Sequence, residues 1–350
     1  MPAIEGVTSA PVVGGAQFAA SNAGTLVYLP GQSARAGIAS PVYWMDHTGK
    51  ATPLRASAAS WSNPHFSPDG RRLAFDIGTG DSGVDVWVYE WARDTLTRLT
   101  FDPSQDRNPV WTPDGRRIVF ASARGDKSTL NLYWQRADGT GDVQRLTECK
   151  NIQYPASWHP SGKFLAFYEG TVQTGYDLMV LPMEGDEASG WKPGKATAFL
   201  NTTANEREPV FSPDGRWLAY ESNESGRYEV YVRPFPGPGG KWQISTGGGI
   251  NSLWSRTRRE LFFETSDQHL MVAPYAVDGD SFRADKPHLW SDARFETRLR
   301  FYRNVDLHPD GERFALATAP DTQSAARQDT VVLIFNFFDE LRRIAPTGKR

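Results

Sequence analysis

Five polar residues, Asn63, Asn108, Glu208, Asn251 and Asn304, each stand three places ahead of a large apolar residue in segments that resemble one another. Gly15 and Pro155 take the same place in two weaker copies. Amide carbonyls and carboxylates are hard oxygen donors, and a Ca²⁺-type cation takes ~6–8 of them, water included. If the seven places converge, four amides and one carboxylate face a common guest: a divalent cation, calcium first, or a small polar ligand. Asn contributes oxygen without the mutual repulsion of a carboxylate ring. The alternative use of the same side chains is local. Asn63-Pro64, Asn108-Pro109 and Glu208-Pro209 place a polar group ahead of a proline, where it can satisfy backbone N–H groups while water fills the centre.

Two further sets lie beside these positions. Arg107, Arg207 and Arg303 come one residue earlier, near the acids Asp106 and Glu206. Strand alternation sends them to the side opposite the Asn/Glu set, to form ion pairs between repeats or to bind an anionic ligand. His65 and Asp306 come one residue before their apolar anchors, on the same side as Asn63 and Asn304. A neutral imidazole there is a candidate general base, with Asp306 as its companion, and a packed histidine is the alternative. His159 and His308 replace a turn Ser or Thr and are expected to cap locally; scattered histidines give no zinc pattern.

What must position these residues is an internal repeat. NPHFSPDGRRLAF begins at Asn63, NPVWTPDGRRIVF at Asn108 and EPVFSPDGRWLAY at Glu208. Weaker copies are PASWHPSGKFLAF from Pro155, NSLWSRTRRELFF from Asn251, NVDLHPDGERFAL from Asn304 and GAQFAASNAGTLVYL from Gly15. The apolar anchors Phe18, Phe66, Trp111, Trp158, Phe211, Trp254 and Leu307 follow at steps of 43 to 53 residues. A period of ~40–50 residues carrying several strands is the pattern of a β-propeller.

Each unit reads as an inner strand through the anchor, a Pro-Asp-Gly turn, an alternating return strand and two more strands, such as NLYWQRAD and VQRLTE. Asp69, Asp114, Asp214 and Asp310 are therefore turn residues, not catalytic carboxylates. The sequence predicts an all-β, seven-bladed propeller of four-stranded antiparallel blades in one domain, 1–350. Blades fall at 14–56, 61–100, 106–147, 153–200, 206–246, 250–291 and 302–335, the last completed by an N-terminal strand at 2–7. Six blades is the alternative count, if 14–56 shares a blade with the C-terminal strands. Beyond Phe335, NFFDELRRI reads as a short amphipathic helix over 336–344, with Asn336 as cap and Asp339 at its third helical position.

Composition narrows the function. The 350 residues carry 38 Lys and Arg against 41 Asp and Glu, a net charge of −3, which excludes the basic surplus of a nucleic-acid binder. The longest apolar run, Val331 to Phe335, is far below the ~20 residues of a membrane helix. The opening MPAIEGVTSAPVV has neither the charged start nor the apolar stretch of a secretory signal. Cys149 stands alone, so an internal disulfide is excluded and a reducing compartment is expected, the cytoplasm or part of a larger chain.

The repeated [WF]-[ST]-P-D-G-R-R pattern resembles the TolB-like, WD40-like propeller repeats. It is similar above all to the propeller regions that follow the kinase domain of certain bacterial serine/threonine protein kinases. Segments carrying the likeness include DVWVYEWARDTLTRLTFD, NLYWQRADGTG, SNESGRYEVYVRPFPGPGGKWQISTGGG and NFFDELRRIAP. The resemblance implies a sensory or interaction propeller. In site chemistry alone, the Asn/Glu set resembles the axial calcium site of paraoxonase- and gluconolactonase-type propeller hydrolases. The chain has no His-Arg-Asp or Asp-Phe-Gly kinase motif and no Gly-x-Ser-x-Gly elbow, so it is neither a kinase nor a serine peptidase.

The expectation is thus a monomeric binding or sensor propeller with an axial site and no organic cofactor. Its partner is a small molecule or a protein at the propeller face. The alternatives are a metal-dependent hydrolase of esters, lactones or phosphotriesters, and an interaction scaffold.

Overall fold

The computed structural model describes residues 39–78, 83–126, 129–172, 174–294 and 303–317 of one compact unit (39–320). Of a second unit, made of 1–38 and 321–350, it describes 9–10, 15–16, 18–21, 25–28 and 332–339.

In the larger unit every described sheet is antiparallel, and the strands sort into six groups. The inner strands of groups two to five are Asp106–Trp111, Ile152–Trp158, Glu206–Phe211 and Ile250–Trp254. Each continues outward through the strands that follow it in sequence. Groups one and six share the 16-residue strand Ala51–Phe66. Its residues 51–59 pair with Ser40–Asp46, while 60–66 pair with Arg72–Gly78 and form the inner strand of group one. Group six runs Val305–Leu307, Arg313–Leu316, Ser40–Asp46 and then the first part of Ala51–Phe66. Each inner strand touches the next, and that of group six touches that of group one, which closes the ring. This is a β-propeller.

Closure differs from the sequence expectation at two ranges. Residues 14–56 do not make one blade: Leu26–Tyr28 pairs with Phe18–Ala20 and Val332–Ile334 in the second unit, whereas Ser40–Asp46 pairs with Arg313–Leu316. Residues 302–335 likewise divide between the units, and 2–7 lie outside the described residues. The seven-anchor count included Phe18, which belongs to the second unit. The pairing Arg313↔Asp46 joins chain segments far apart in sequence, which no local periodicity encodes. In the predicted C-terminal helix, residues 337–339 are helical, Asp339 N–H donates to Asn336 O (3.0 Å), and the remainder lies outside the described residues. Among the described residues no helix is long and apolar enough to cross a membrane.

The turns follow their chemistry. Ser67 Oγ donates to Asp69 Oδ1 (2.6 Å), which also accepts Arg71 N–H (3.1 Å). Thr112 with Asp114 and Ser212 with Asp214 repeat the arrangement. Gly70 completes the first turn at φ +68°, a conformation that a side chain disfavours, and a Cβ there would meet His308 Nε2 at 2.7 Å. His159 and His308 cap as expected: their Nδ1 atoms accept Ser161 N–H and Asp310 N–H, each at 3.2 Å.

The core lies between adjacent sheets. Six apolar clusters each join two neighbouring groups, for example Met45, Phe262 and Phe314 across five and six. Phe75, Phe120 and Phe167, at one repeat position, are fully buried. Phe314 is 0 % exposed and meets Phe262 and Trp290 with ring centroids 5.3 and 4.8 Å apart. Phe314→Ala leaves a cavity at the closing sheet and is expected to cost about 3–5 kcal/mol. Urea unfolding checks this; a loss below about 1 kcal/mol contradicts the packing of this seam.

Candidate functional site

Four inner strands break register at one repeat position, within 62–65, 107–110, 207–210 and 250–253. The residues at the break, Asn63, Asn108, Glu208 and Asn251, have φ of 50°, 54°, 51° and 52°. This left-handed region is tolerated by Asn and costly for Glu, and it occurs here within a bulge that re-aims the side chain. Strict alternation therefore fails at this point, and the expectation that the arginines lie opposite the ring is corrected. Arg207 Nε reaches Glu221 Oε2 (2.9 Å), and the other oxygen of Glu221 accepts Asn251 N–H (2.5 Å). Arg303 NH2 is 3.3 Å from Glu208 Oε2, an ion pair between groups six and four, which are not neighbours in the ring. Arg107 Nε donates to Gln105 Oε1 (3.0 Å), and its charge acts on Asp76.

A second set of residues, missed in the sequence, completes this girdle. Asp76, Tyr168, Glu221 and Glu264 each stand ten places after an anchor, on the second strand of a group. The shared endings of RRLAFD, RWLAYE and RELFFE carried that signal. Asn63 Nδ2 donates to both Asp76 oxygens (2.9 and 3.1 Å), while its Oδ1 accepts Arg303 N–H (2.9 Å). Asn251 Nδ2 donates to Glu264 Oε1 (3.1 Å), and Tyr168 Oη donates to Glu208 Oε1 (2.9 Å). Asn304 is 1 % exposed, and neither amide atom has a hydrogen-bond partner among the described residues.

Burial pushes Asp76 up to about 6, against the pull of Arg107 and Asn63, and pushes Glu264 up to about 8, with Glu221 adding repulsion. Glu221 is raised by burial too, opposed by Arg207. As built, Asn63 and Asn251 point amide N–H groups at carboxylates, and Glu208 has both oxygens on protein donors. Among the described residues no cluster of three or more His, Cys, Asp or Glu is placed to hold a metal ion. The donor set as it stands fits an interlock between sheets better than a cation cradle.

At the Pro-Asp-Gly end of the inner strands lies a cavity of about 370 Å³. The anchors Phe66, Trp111, Trp158, Phe211, Trp254 and Leu307, one from each group, line it. His65, Asp306, Arg303 and Arg256 supply its charged and titratable groups. The structure thus brings His65 and Asp306 to one cavity. Asp306 Oδ2 accepts Phe66 N–H (2.7 Å), and His65 Nδ1 lies 3.2 Å from Phe66 O. Burial, opposed by Asp306 and reinforced by Arg303 and Arg256, holds the imidazole below its ordinary pKa, so it is neutral at pH 7. Arg256 was not singled out in the sequence. It is exposed, its NH1 donates to Pro68 O (3.1 Å), and among the described residues it makes no contact of ion-pair length, although Asp306 acts on its charge.

Residues 39–189 match the sequence profile of the TolB beta propeller domain. No curated protein matches the chain. Several solved structures share the fold. One is a protein from Agrobacterium tumefaciens assigned as TolB, with 18 % identity, TM-score 0.59 and coverage of 79 % of this chain and 97 % of that one. Another is the periplasmic gluconolactonase PpgL of Pseudomonas aeruginosa, with 17 % identity, TM-score 0.53 and coverage of 84 % and 94 %. TolB from Acinetobacter baumannii gives 15 % identity and TM-score 0.50, over 84 % of this chain and 66 % of that one. At these identities the likeness is one of fold.

The buried acids make stability depend on pH. Folded, Glu264 keeps its proton to about pH 8, whereas unfolded it loses it near 4.5. Between those values the folded state binds more protons, so this group's contribution falls as pH rises. Glu264→Gln retains an acceptor for Asn251 and removes the titration. The expected result is a decline in Tm from pH 5 to 8 that is shallower than in the parent protein; parallel curves contradict the assignment.

Proposed function

We propose that this chain is a β-propeller binding module that takes a small molecule with an apolar body and an anionic group into the axial cavity of its 39–320 unit. The observation that carries the reading is Arg256, a cation without a carboxylate partner among the described residues, at a cavity walled by apolar anchors from six inner strands. Asp306 of the same cavity acts on this exposed guanidinium without pairing to it, and a carboxylate or phosphate that reaches hydrogen-bond distance adds the direct contact. The amide and carboxylate girdle acts as an interlock that holds the inner strands. The likeness of the repeats to kinase-linked propellers supports a sensor role.

Phenylacetate offers an aromatic body with one carboxylate, and benzyl alcohol is its uncharged counterpart. Calorimetric titration is expected to show binding of the acid alone, weakened about tenfold or more by Arg256→Ala, since a hydrogen bond to a charged group contributes about 1.5–3 kcal/mol. Equal binding of both probes, or an Arg256→Ala protein that binds phenylacetate unchanged, rejects the reading.

A hydrolytic reading has one observation in its favour: a neutral His65 shares the cavity with Asp306. There the imidazole would take a proton from water attacking an ester, lactone or phosphotriester. Activated esters assayed with and without chelator test this reading together with the metal reading of the ring. Turnover lost in His65→Gln with folding intact supports the base. Chelator-sensitive turnover lost in Glu208→Ala brings back the divalent cation, and no turnover leaves the binding module.

A further inference from the structure

Three groups that line the axial cavity bond to one short stretch of backbone, residues 66–68. Asp306 Oδ2 accepts Phe66 N–H (2.7 Å), His65 Nδ1 lies 3.2 Å from Phe66 O, and Arg256 NH1 donates to Pro68 O (3.1 Å). Three residues of chain span at most about 10 Å, so one small guest reaches all three groups. They also lie within electrostatic reach of one another. Asp306 and Arg256 both act on the His65 imidazole, and Asp306 acts on the Arg256 guanidinium.

Each group keeps bonding capacity toward the opening. Asp306 bonds through one oxygen only: Oδ1 has no hydrogen-bond partner among the described residues, and it is not among the buried unpartnered atoms sealed from solvent. Phe66 O can only accept, so His65 carries its proton on Nδ1. The imidazole is neutral, which leaves Nε2 a bare acceptor, likewise unbonded among the described residues and not sealed off. Arg256 is exposed and has donors beyond the one spent on Pro68 O. Arg303, the other cation of the cavity, is taken up by Glu208 (3.3 Å). The opening thus presents two acceptors, one of them charged, and one cationic donor.

That set asks for more than a carboxylate. A purely anionic guest on Arg256 brings a second negative charge within reach of Asp306, and between apolar walls like charges repel more strongly than in water. A hydroxyl donates to Asp306 or His65 but leaves the charge of Asp306 unmatched. An ammonium group meets both acceptors, with three N–H donors and the opposite charge. The guest that satisfies the whole set is a zwitterion on an apolar body, the form of an α-amino acid with a large side chain. The cavity volume, about 370 Å³, falls within the ~300–1,000 Å³ of small-molecule sites.

We propose that the guest of the axial cavity is an apolar α-amino acid, its carboxylate on Arg256, its ammonium between Asp306 Oδ1 and His65 Nε2, and its side chain among the anchors. The proposal rests on the binding-module reading and adds the class of ligand to it.

Calorimetric titration with three ligands tests it. L-Phenylalanine carries both charges, 3-phenylpropanoate is the same frame without the amine, and 2-phenylethylamine lacks the carboxylate. Phenylalanine is expected to bind about tenfold or more tightly than either, the size of one hydrogen bond to a charged group. Asp306→Asn keeps an acceptor for Phe66 N–H and removes the charge. In that variant phenylalanine should lose most of its lead over 3-phenylpropanoate, with the fold checked by its melting curve. The comparison in the parent protein decides even where the variant fails to fold. Arg256→Ala should weaken phenylalanine and 3-phenylpropanoate alike. If 3-phenylpropanoate binds the parent as tightly as phenylalanine, or the lead survives in Asp306→Asn, this proposal falls and the cavity remains a site for anions. If neither acid binds, or 2-phenylethylamine equals phenylalanine, the reading built on Arg256 falls with it.

Discussion

Where the first strand of a sheet breaks register, a residue in the left-handed region turns its side chain onto a polar group buried on a second strand: Asn63 onto Asp76, Asn251 onto Glu264 and Glu208 onto Tyr168. Asn251 shows the whole device: its N–H meets Glu221 of the preceding sheet, and its amide meets Glu264 of its own. Asn63 gives its amide to Asp76 of its own sheet and exchanges hydrogen bonds with the backbone of Arg303, with no second acid on its N–H. A carboxylate buried in this way is costly unless its oxygens find donors. Glu221 draws a donor from the next sheet as well as from its own, through Asn251 N–H and Arg207, and the Glu208–Arg303 pair connects sheets that do not touch side by side.

This interlock separates two regions of the same strands. Before the anchors the axis is polar, with Asn63, Asn251, the acids and the arginines spending hydrogen bonds on one another and the Asn304 amide unbonded among the described residues. At and beyond the anchors it opens into a cavity with apolar walls, and there Arg256 makes no ion-pair contact among the described residues, unlike Arg207 and Arg303, with Asp306 acting on it at longer range. In the proposed binding module this difference in charge pairing is what selects a guest with an anionic group.

Much of this was legible in the residues. The Pro-Asp-Gly copies placed the turns and inner strands, and of the polar residues three places before the anchors Asn63, Glu208 and Asn251 bond into the girdle. Two things were hidden. Alternation predicted the arginines on the opposite side because the pattern contains no sign of a bulge; only an Asn or Glu before a proline, read as a left-handed residue, could have warned of it. Closure through Ser40–Asp46 depends on pairing with Arg313–Leu316, and a contact over that separation leaves no trace in a local window. The acids at 76, 221 and 264 were readable from the shared strand endings, and looking for polar residues only ahead of the anchor missed them.

The central claim is that the axial cavity is a binding site organised by Arg256. A crystal of the protein grown with 4-bromophenylacetate tests it directly, because bromine can be located by its anomalous signal. The account predicts the bromine among the six anchor residues, with the carboxylate within hydrogen-bond distance of the Arg256 guanidinium. Bromine bound elsewhere on the molecule, or an acid in the cavity with its carboxylate turned away from Arg256, would contradict it.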